Sequence, residues 1–109
     1  MRYLVILLLL SISLLAQTSH SVTLTWVDTQ NPAGTTYNVK RATGTCSGTP
    51  AFSTIASAVA VKTFTDSTVA VGNYCYIVTA VFSAIESAPS NSVNPVVGPF
   101  VVTLSAVVN

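Results

Sequence analysis

The chain has 109 residues, which allows one domain. Half of its residues are hydrophobic, only 6% are charged, and the formal net charge is +1. Nucleic-acid binding needs a basic footprint and is excluded; disorder is excluded because apolar and β-branched residues are plentiful.

The first segment, MRYLVILLLLSISLLAQ, carries one basic residue, Arg2, followed by an apolar run from Tyr3 to Ala16. A helix needs about 20 apolar residues to cross a hydrocarbon core, so this run is too short to span. It reads as a secretory signal peptide over 1–16, cut after Ala16, although Leu14 is larger than the site prefers. The alternative is a retained N-terminal anchor. With the leader removed, Lys40, Arg41 and Lys62 balance Asp28, Asp66 and Glu86, and no membrane span is expected in the mature chain. The expected location is secreted, periplasmic or on the cell surface.

Beyond the leader the hydrophobic period is two rather than 3.6. HSVTLTW places Val22, Leu24 and Trp26 on one face of a half-buried strand. VDTQNPAGT is a turn region, marked by Asn-Pro and Gly. TTYNVKRA alternates again, with Tyr37 and Val39 inward and Asn38 and Lys40 outward. TGTCSGTPA is a loop holding Cys46, FSTIAS a short strand, and VKTFTD another with Phe64 inward. YCYIVTAVF has the strongest strand pattern: Tyr74, Tyr76, Val78 and Ala80 share the core face, which leaves Cys75 on the outer face. SAIESAPSN is read as a loop, SVNPVV as a last short strand broken by Pro95, and GPFVVTLSAVVN as an uncharged, β-prone tail. Short strands with turns every eight to twelve residues imply an antiparallel sandwich or barrel.

Three stretches together resemble a fibronectin type III domain of the bacterial secreted type. They are SVTLTW ending in a core tryptophan, YNVKRA, and YCYIVTAV, with Val69 ahead of the last and ESAPSNSV after it. The resemblance covers about residues 20–97 and implies an immunoglobulin-like antiparallel β-sandwich over 17–97, in which these three stretches are strands B, C and F. It makes Tyr74 a tyrosine corner, bonding back to backbone near the preceding turn. It also makes strands C and F antiparallel neighbours, which brings Cys46 near Cys75 and implies a disulfide between them. Intermolecular pairing, or a pair of free thiols in a redox or metal role, is the alternative.

No constellation for catalysis is visible. His20 is the one histidine of the mature chain, and a serine triad needs a histidine with a carboxylate partner. Asp28 and Glu86, placed by the resemblance in loops at one end, are the only acid pair with a chance of meeting; Asp66 is expected after its strand. Lys40 and Arg41 read as charge on the exposed face and edge of one sheet. No cofactor and no metal are expected.

Two departures from the resemblance stand out. Only QTS separates the expected cleavage site from His20, so strand A is short or missing and strand B exposes an edge. At the other end, the tail 98–109 runs past the domain. It is the first strand of a following module, a cover for its own strand-B edge, or a strand donated to a neighbour, which would make a homo-oligomer. The expected role is a non-catalytic structural or interaction module with a protein or glycan partner. A carbohydrate- or surface-binding adhesin is the alternative, though apart from Phe52 in the FSTIAS strand only Tyr3, Phe82 and Phe100 are aromatic residues not assigned to the core or the corner.

Overall fold

A computed structural model describes residues 20–98 and 105–108. All regular structure among them is strand: β1 His20–Trp26, β2 Thr36–Thr43, β3 Ser53–Val59, β4 Thr63–Val69, β5 Gly72–Phe82, β6 Ile85–Glu86, β7 Val96–Val97 and β8 Ser105–Val108. They form two sheets, in the orders β4-β1-β8 and β3-β2-β5-β6, with β7 also pairing β5. Every pairing is antiparallel except β1 with β8, which is parallel.

The two sheets share one core because their inward residues alternate as the period-two pattern requires. Val22, Leu24, Trp26 and Val69 come from the first sheet, and Tyr37, Val39, Tyr74, Tyr76 and Val78 from the second. Phe64 and Ala80, expected inside, pack against this cluster but lie at its half-buried rim. The β2–β5 ladder is the longest, running in unbroken register from Thr36↔Val81 to Thr43↔Tyr74. It aligns inner face with inner face over eight positions, and β2 and β5 form the floor of the core.

Three segments differ from the sequence expectations. The loop after Phe82 contains a tight hairpin, with Phe82 opposite Ile85 and positive φ at Ser83 (51°) and Ala84 (63°). The expected strand SVNPVV is paired only at Val96–Val97, with a single bridge from Val93 to Tyr76. Between these points serine side chains stand in for a strand: the Val78 and Ala80 amides donate to the Ser90 and Ser87 hydroxyls, while the Ser90 and Ser87 amides donate to the Val78 and Ala80 carbonyls. The edge of β5 is thereby hydrogen-bonded without a regular ladder.

The third difference is β8. Of the three placements expected for the tail, the structure shows residues 105–108 beside β1 of their own chain, with Thr23 opposite Ser105 and Trp26 opposite Val108. The expected leader lies outside the described residues, as do Tyr3 and Phe100.

Candidate functional site

Cys46 and Cys75 are disulfide-bonded, with their Cα atoms 5.1 Å apart. The local cause is at the end of β2. Gly44, at φ 105°, takes a conformation that side chains disfavour, and its amide donates to the Asn73 carbonyl. The chain thus turns off β2 directly beside the start of β5. Cys75 has outward parity, as expected, yet it is fully buried. The Cys46 loop covers it, anchored by the Cys46 amide on Asn94 Oδ1. Next to it, the Tyr74 hydroxyl donates to the Ala70 carbonyl at 3.0 Å, across the turn between β4 and β5.

Five charged residues, Asp28, Lys40, Arg41, Asp66 and Glu86, fall into three separate groups. The first is interior. Arg41 Nη1 donates to Asp66 Oδ2 at 2.7 Å, and the Tyr76 hydroxyl donates to the same oxygen at 2.7 Å. Arg41 also lies over the Tyr74 ring, 5.3 Å from its centroid. Burial, and then the bond to Asp66, push the Tyr76 phenol well above its usual range, so it stays a donor. Two expectations are corrected here. Arg41 does not sit on the exposed face with Lys40, because it shares the inward parity of Tyr37 and Val39. Asp66 does not follow its strand: it lies within β4, almost fully buried.

The second group is on the outer face of the β2–β5–β6 sheet. Lys40 Nζ is 2.8 Å from Glu86, and the Thr79 hydroxyl donates to the same carboxylate. The Lys40 ammonium, then the Thr79 hydroxyl, lower the Glu86 carboxyl to about 2. The third group is the turn after β1. Asp28 accepts from Asn31 Nδ2, from the Tyr37 hydroxyl at 2.8 Å and from the Gln30 and Asn31 amides. The Asn31 amide and the Tyr37 phenol hold its carboxyl down at about 2. Asp28 serves the inward-facing Tyr37, whereas Glu86 serves the outer face, so the two acids do not form the pair considered from sequence.

Two clefts flank the core. One, of about 160 Å³, lies at the end of the molecule where β1 gives way to its loop and is lined by Trp26, Asp28, Tyr37, Ser87, Pro89 and Ser90 among others. Trp26 packs edge-on against Tyr37, with centroids 5.4 Å apart, and its buried Nε1–H has no hydrogen-bond partner. The other, of about 360 Å³, opens between β3 and β4 and is lined by Arg41, Ile55, Phe64, Thr65, Asp66 and Ser67. His20 is half-buried at the start of β1. No group of three or more His, Cys, Asp or Glu residues suited to a metal ion occurs among the described residues, and no helix among them is long and apolar enough to cross a membrane.

The interior Arg41–Asp66–Tyr76 group is what sequence reasoning missed. Its signal was present: Asp66 has the parity of Phe64, and Arg41 that of Val39, so both charges belong to inner faces. That the two meet follows only because β4 runs on through Asp66 to Val69.

Compared with models of known protein families, the chain matches none, and a search among curated proteins finds no match either.

Proposed function

We propose that the chain is a secreted, non-catalytic interaction module of the fibronectin type III type, working at the cell surface or beyond it. The observation that carries this reading is the Cys46–Cys75 disulfide, because such bonds persist where the compartment is oxidising. The family part is supported by the bond from Tyr74 to the Ala70 carbonyl, which has the geometry of a tyrosine corner, and by the pairing of β2 with β5 in the manner of strands C and F. The non-catalytic part is supported by how the acids are used. Asp28, Asp66 and Glu86 are each engaged by neighbouring side chains, in three places, and serve the fold. On this reading the molecule acts through its shape and its exposed faces.

The test is made on the full gene product, expressed with its leader in its own cells. Cells are fractionated, free thiols are alkylated, and the intact mass is measured. The expected product lies outside the cytoplasm, begins at or close to Gln17 and carries no alkyl group. A full-length cytoplasmic product with both thiols alkylated overturns the reading.

A further inference from the structure

We draw no further inference here: the strongest candidate, the cleft of about 160 Å³ beside Trp26 at the end of the molecule, has one unpartnered donor, the Trp26 Nε1–H, which is itself buried, while Asp28, Tyr37, Ser87 and Ser90 in its walls are already hydrogen-bonded, so nothing in the structure shows what would occupy it.

Discussion

Asp66 accepts two short hydrogen bonds on one oxygen, from Arg41 and from Tyr76, and its side chain is only 8% exposed. The three residues come from β4, β2 and β5, so this group ties the two sheets together through polar contacts where the core is otherwise apolar. Removing one partner of a buried pair costs far more than the pair contributes, because the remaining charge is left without compensation. Arg41 is 30% exposed, and water relieves part of that cost. Replacing Asp66→Asn keeps the shape and removes the charge; it is expected to destabilise the domain by about 2–3 kcal/mol, below the full buried-pair figure for that reason. Urea unfolding at neutral pH checks it, and an unchanged midpoint refutes the role given to Asp66. The strand parity of both charged residues was legible in the sequence. Their meeting was not, since it depends on β4 continuing through Asp66 to Val69 rather than ending there.

At the scale of elements, β1, β2 and β5 were legible because alternation and β-branched or aromatic content agree in each. The hairpin into β6 was not. Its turn places Ser83 and Ala84 at positive φ, where Asn-Gly or Gly-Gly would be the usual signal, so no local residue announced it. The irregular segment between β6 and β7 was equally hidden. Its hydrogen bonds to β5 run through the Ser87 and Ser90 hydroxyls, and serine hydroxyls give no periodic pattern. With the edge of β5 held by an irregular segment rather than a ladder, the disulfide matters, because it fixes the loop after β2 to β5 across a sequence separation of 29 residues. Replacing Cys46→Ala together with Cys75→Ala is expected to cost about 3–4 kcal/mol in the chain-entropy account. The check is the urea midpoint of the double variant beside that of the oxidised chain. A loss below about 1 kcal/mol, the size of one ordinary hydrogen bond, contradicts the account of the bridge as a staple.

At the scale of the whole molecule, the described part of the β-prone tail, β8, lies against β1 and gives the first sheet its third strand. Sequence offered the tail three placements because edge pairing depends on direction and reach, and residue pattern encodes neither. The first sheet needs that edge of β1 to be filled, and this is the claim on which the description of the molecule rests. The measurement that tests it most directly is amide hydrogen exchange by NMR, on the oxidised chain from Gln17, beside the same chain ending at Gly98. The account predicts that the amides of Thr23–Trp26 facing β8 are protected in the full chain and exchange freely in the shorter one, while those facing β4 stay protected in both. Equal protection of the β8-facing amides in the two chains would contradict it.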